Sequence, residues 1–97
     1  MIKKNVLRRL QNLKGQLVEV GVSKLGLFGS TVHGENTPQS DIDILLDFSA
    51  GQETYLNFMS ACQILEDNFK HYKLDVVTLK GLSPYIGKSI LKEVEYV

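Results

Sequence analysis

Disulfide chemistry is absent from this chain: Cys62 is its one cysteine, so no intrachain bridge can form. Set among apolar residues at helical spacing, Cys62 reads as a small core residue rather than a nucleophile. An excess of either charge is also lacking, since 11 basic residues balance 11 acidic ones. That argues against nucleic acid held by a broad basic surface, though not against a small anionic ligand in a local site. No apolar run approaches membrane-spanning length. The start, Met1-Ile2-Lys3-Lys4, has the charge of a secretory leader, but Arg8 and Arg9 interrupt before any apolar stretch follows. Residence in the cytoplasm is the resulting expectation. Low-complexity tracts, linkers and internal repeats are missing too.

What is present is ordinary globular material, 43% hydrophobic and 23% charged over 97 residues. That suits one domain with one core, spanning residues 1–97. Ile2, Val6, Leu10, Leu13 and Leu17 recur at helical spacing, with Lys3, Lys4, Arg8, Arg9 and Lys14 largely off that stripe as a solvated face. Gly21 is a natural stop. Val22 to Phe28 is short, apolar and bounded by glycines, and reads as a strand. Gly29-Ser30 then turns into a short helix start, and Thr31 to Ser40 is a loop by composition.

Ile42, Ile44, Leu46 and Phe48 alternate with Asp41, Asp43, Leu45 and Asp47, the period of a second strand with one apolar row. Ser49 and Gln52 have capping-box spacing for a helix whose stripe is Tyr55, Phe58, Met59, Cys62, Leu65 and Phe69, expected in the core. Leu74 to Leu79 is a third strand. Because a full helix links it to the second, the two should run parallel through a right-handed crossover. Ser83 and Pro84 mark a last helix, with Ile86, Ile90, Leu91 and Val94 on its apolar side. Lys80 and Lys88 read as surface lysines. The expected fold is thus α/β (α+β), a small mixed three-stranded sheet flanked by helices in the order αβαβαβα.

The chemistry concentrates in two short stretches. Asp41 and Asp43 alternate along one strand, so their carboxylates leave the same face roughly 6–7 Å apart along the backbone. Two such anions repel, and a divalent cation relieves the repulsion; magnesium favours one or two carboxylates together with phosphate oxygens. Gly29 lets an anion approach the backbone at the end of a strand, beside the amides of a helix start, and Ser30 adds a hydroxyl. Asp75 lies in an apolar strand predicted to neighbour the second, where an aspartate calls for a metal or a charged partner. Together the three aspartates fit a two-metal site for phosphoryl or nucleotidyl transfer.

Gly29-Ser30, ten residues, then Asp41-Ile42-Asp43 resembles the signature of the DNA polymerase beta-like nucleotidyltransferases. Leu65-Glu66-Asp67, Leu74-Asp75-Val76-Val77-Thr78 and the closing Ile90 to Val97 are similar to the minimal nucleotidyltransferase branch, antitoxins of modules whose toxin is a helical HEPN-domain ribonuclease. The resemblance implies that Asp41 and Asp43 bind two magnesium ions. It implies that Asp75 binds the catalytic one, and that Gly29 and Ser30 hold the triphosphate. The implied reaction moves AMP from ATP to a tyrosine hydroxyl of the toxin and releases pyrophosphate, within a hetero-oligomer and without direct nucleic-acid or membrane binding. In the family's Gly-Ser-Arg-Ala-Arg-Gly-like run, His33 stands at the second arginine's place and is read as a phosphate contact. Larger relatives append a helical domain that presents the acceptor. Only one short helix follows the third strand here, so the acceptor is expected on another chain. Two other readings remain open: a binding antitoxin without catalysis, and a transferase for a small molecule with a helical partner completing the pocket.

Overall fold

The structure is a computed structural model that describes every residue except Pro38, so that part of the predicted loop lies outside the described residues. Helix α1 (Lys3–Glu19) leads into strand β1 (Val22–Phe28), the four-residue helix α2 (Ser30–His33) and strand β2 (Ile42–Phe48). Helix α3 (Tyr55–Asn68), strand β3 (Leu74–Thr78), helix α4 (Pro84–Glu93) and strand β4 (Glu95–Tyr96) complete the chain.

The strands form one mixed sheet in the order β3-β2-β1-β4. β1 is antiparallel to both β2 and β4, whereas β2 and β3 run parallel, as a helical crossover requires. β4 is the strand that periodicity does not reveal. Two residues are too few to alternate visibly, and they pair with β1 only at Gly26 and Leu27. Gly26 makes the approach possible, because a Cβ there would meet Val94 Cγ2 at 2.5 Å.

The two faces of the sheet differ. Leu25 and Leu27 of β1 and Ile42, Ile44, Leu46 and Phe48 of β2 pack under α1 and α3, on Val6, Leu10, Leu13, Leu17, Ala61, Leu65 and Phe69. On the other face Phe28 and Leu45 meet Ile90 of α4. The basic residues of α1 remain at the surface as expected; Arg9 folds back, its guanidinium 5.2 Å from the Phe69 ring centre and donating to Asn68 O at 2.9 Å.

Several local expectations change. α3 is capped by Thr54, whose hydroxyl accepts from Asn57 N–H at 3.1 Å, while Ser49 to Gln52 close a turn through the Gln52 amide. The α3 stripe is also narrower than predicted. Its buried line is Ala61, Leu65 and Phe69, while Cys62 is half-buried and Tyr55 and Met59 are exposed. At about 100° per residue, Tyr55 and Met59 fall on the flank of that line. In α4, Gly87 and Ile90 face the sheet and Ile86 and Leu91 turn outward. The Ser83 cap and Pro84 first turn stand as read, with Ser83 Oγ accepting from Ile86 N–H at 3.3 Å. Thr31 to His33 belong to α2 rather than to the loop, and Thr31 is buried. No helix among the described residues is long and apolar enough to cross a membrane.

Candidate active site

Alternation along β2 sends Ile42 and Ile44 into the larger core and Asp43 to the α4 face. Register then decides its neighbours. Asp43 is opposite Phe28 on β1 and opposite Asp75 on β3. Adjacent strands lie about 4.8 Å apart, so the Asp43 and Asp75 carboxyls converge from neighbouring backbones. They are close enough that a proton on one is hydrogen-bonded by the other. Asp41 precedes β2 and adds its charge from one residue beyond the strand. Asp75 is exposed at the rim, and Asp41 and Asp43 are half-buried.

This crowding leaves a mark on Asp43. Burial raises its pKa first, and the charges of Asp75, Asp41 and Glu93 raise it further, to about 6. Among the described residues, the charges that bear on it are all acidic. Among the described residues, no three His, Cys, Asp or Glu side chains close into a ready-made metal cage. The donor set nevertheless fits a hard divalent ion, since magnesium takes one or two carboxylates and completes its shell with water and phosphate oxygens. Asp41, Asp43 and Asp75 could hold such an ion at this open rim.

Gly29 is pressed against the same carboxylate. Its φ of 78° is one that side-chain-bearing residues rarely adopt, and a Cβ there would lie 2.0 Å from Asp43 Oδ2. The turn therefore needs glycine twice over, for conformation and for space. α2 is a single turn, too short for an appreciable helix dipole. What it offers an anion is backbone amides and the Ser30 hydroxyl.

One partner was not visible in the sequence. Glu93, the last residue of α4, reaches the turn from 64 positions away: the Gly29 N–H donates to Glu93 Oε1 at 3.2 Å. Its other oxygen, Oε2, lies 2.5 Å from His33 Nε2. The His33 ring is thus engaged by a carboxylate. No local pattern in Ile90 to Val97 distinguishes Glu93 from the neighbouring Glu95, which pairs instead with Lys3. Only packing of α4 on Phe28 and Leu45 separates the two.

A mixed sheet carries Gly-Ser after one strand and paired aspartates on the next two, an arrangement that fits nucleotidyl transfer. Comparison with known proteins agrees. The nucleotidyltransferase domain family matches residues 4–97. The protein adenylyltransferase MntA of Thermococcus cleftensis is 39% identical over 77 residues, covering 79% of this chain and 76% of that protein. A solved candidate minimal nucleotidyltransferase superposes with a TM-score of 0.84 at 26% identity, covering 98% of this chain and 95% of the other. A toxin–antitoxin structure with AMP-PNP superposes with a TM-score of 0.68 at 21% identity over 89% of this chain and 70% of that one, a likeness of fold. This chain belongs to the nucleotidyltransferase domain family, in its minimal branch, and is a nucleotidyltransferase.

Proposed function

We propose that this enzyme transfers AMP from ATP to a hydroxyl, a tyrosine in our reading, on a helical HEPN-type toxin and so acts as its antitoxin. The observation that carries the reading is the in-register Asp43–Asp75 pair beside the Gly29-Ser30 turn. It is supported by relatives that include a protein adenylyltransferase and a toxin–antitoxin neighbour with AMP-PNP.

In this reading Ser30 and the turn it opens hold the triphosphate, with His33 at the turn's far end. Asp41, Asp43 and Asp75 would hold magnesium, two ions in our reading, which when bound neutralises the triphosphate and acidifies the acceptor hydroxyl. Asp75, the exposed member of the pair, is the carboxylate an incoming hydroxyl can approach. The acceptor oxygen forms a bond to the α-phosphorus, the bond from that phosphorus to the bridging oxygen breaks, and pyrophosphate leaves. The acceptor's proton passes to solvent. The open rim suits an acceptor brought by a second protein in a hetero-oligomer, in the cytoplasm where ATP is available.

Intact-mass measurement tests the proposal. The chain is incubated with ATP, magnesium and the product of an adjacent small helical gene. The partner should gain the mass of AMP, and Asp41→Asn should abolish the gain. Neutralisation of the partner by Asp41→Asn with no mass change would instead establish a binding antitoxin.

A further inference from the structure

The turn that presents Ser30 cannot hold itself. A single helical turn fixes several backbone dihedrals for very few hydrogen bonds, and α2 is flanked by glycines at both ends, Gly29 and Gly34, each with positive φ. Its geometry must come from outside. Buried Thr31 anchors the middle. Asp43 sets one wall against Gly29. The two ends are held by one carboxylate, because Glu93 accepts the Gly29 N–H with Oε1 and engages His33 Nε2 with Oε2.

Glu93 is itself delivered by rigid parts. Three residues before it, Ile90 is buried against Phe28 and Leu45. Directly after it, the Val94 N–H donates to Ile90 O at 2.9 Å, and the chain enters β4 to pair with Gly26 and Leu27. Helix packing on one side and strand pairing on the other leave the Glu93 backbone little freedom. A fourth carboxylate beside Asp41, Asp43 and Asp75 is electrostatically unfavourable, and its charge bears on Asp43. The Gly29 N–H and the His33 ring are what offset that cost.

We propose that Glu93 is a positioning residue for nucleotide transfer, stapling both ends of the single-turn helix so that Ser30 faces the triphosphate in one geometry. The inference rests on the reading that this turn holds the triphosphate. Glu93 does not touch the nucleotide in this account. It occupies the Gly29 amide and the His33 ring, leaving the Ser30 hydroxyl for phosphate.

Titration calorimetry of the full chain with MgATP separates affinity from the number of competent sites. Glu93→Ala loses both contacts and should weaken MgATP binding about tenfold, as expected for a hydrogen bond to a charged group. Glu93→Gln keeps an acceptor for Gly29 and should weaken it about threefold, with unchanged stoichiometry. Adding His33→Ala to Glu93→Ala should change affinity less than about twofold further, because the two residues act as one unit. Unchanged affinity in Glu93→Gln and Glu93→Ala overturns the proposal. So does tighter binding, which would make Glu93 a competitor of phosphate. Fewer sites at wild-type affinity with a lower melting temperature also overturns it, by assigning Glu93 to the fold alone. If Glu93→Ala does not fold, Glu93→Gln still decides the matter. Failure of the wild-type chain to bind MgATP overturns the underlying reading and this inference together. Wild-type binding with unaffected variants overturns only the inference.

Discussion

The two faces of the sheet divide the work of this molecule unequally. Among the described residues, the layer that α1 and α3 form with the sheet buries 14 apolar residues, while the α4 face buries Phe28, Leu45 and Ile90. That smaller face also carries Asp43, Asp75 and Glu93, whose mutual repulsion opposes folding. A 97-residue domain has only about 5–15 kcal/mol of net stability. The large face must supply most of it, which lets the small one keep its cluster of acidic groups. Interconverting the faces' properties is therefore the way to test the contrast.

The largest effect is expected at Asp43, and it should carry opposite signs for activity and stability. Asp43→Asn removes a candidate metal ligand and should lower transfer by about a thousandfold, comparable with losing a strong electrostatic contact in a transition state. The metal-free variant should nonetheless unfold at higher denaturant than wild type near neutral pH. Activity and urea midpoints on the same preparations check both signs, and a parallel fall in the two would break the contrast. Next come the apolar truncations. Leu27 is fully buried on the large face, and Leu27→Ala should cost about 3 kcal/mol; Ile90→Ala, on the thinner face, should cost about 2 kcal/mol. Equal or reversed costs in equilibrium unfolding would argue that α4 is as tightly integrated as α1.

A smaller effect follows from the pKa of Asp43, raised to about 6 by burial and then by its carboxylate neighbours. The folded state holds this proton more tightly than the unfolded chain does. The stabilising contribution is therefore complete below about pH 4, the ordinary aspartate range, and is lost as pH rises through 6. Because the group is partly exposed, solvent screening reduces the loss to about 1 kcal/mol. Metal-free wild type should lose that much relative to Asp43→Asn between pH 4 and 7, read from paired unfolding curves. Saturating magnesium with ATP should remove the difference. A gap between the two proteins that stays constant across this range would mean that Asp43 is not under carboxylate pressure.

The same contrast explains what could be read in the sequence. Period-two alternation from Ile42 to Phe48 assigned the faces of β2 correctly, because each face of a strand is defined by parity alone. That Asp43 and Asp75 lie on neighbouring strands was legible for a related reason, because a helical link between two strands implies parallel neighbours; the register that sets them side by side came from the structure. Helix faces were harder. A broad apolar run such as Tyr55 to Phe69 permits more than one orientation, and only the sheet selected the line through Ala61, Leu65 and Phe69. β4 and Glu93 were illegible because both depend on where α4 docks, a tertiary fact with no periodic signature. His33 was read as a phosphate contact from its place in a family-like run, and the structure gives its ring a carboxylate partner.

The smallest expected effect lies on the outer side of α3, where Tyr55, placed in the core by the apolar stripe, is exposed beside Leu56. Tyr55 and Leu56 are 76% and 75% exposed, and α3 packs on the sheet face opposite Asp43 and Asp75. The double substitution Tyr55→Ser, Leu56→Gln should change stability by less than about 0.5 kcal/mol, as changes at exposed positions usually do. MgATP affinity should also remain at the wild-type value. The Thr54 cap sits beside Tyr55, and its hydroxyl bond to Asn57 N–H is left intact by both changes. A loss near 2 kcal/mol would show that this side is packed after all and would widen the large face. A change in MgATP affinity at constant stability would be more damaging to the contrast, because it would connect the two faces through a sheet whose core is filled by Ile44, Leu46 and Leu27.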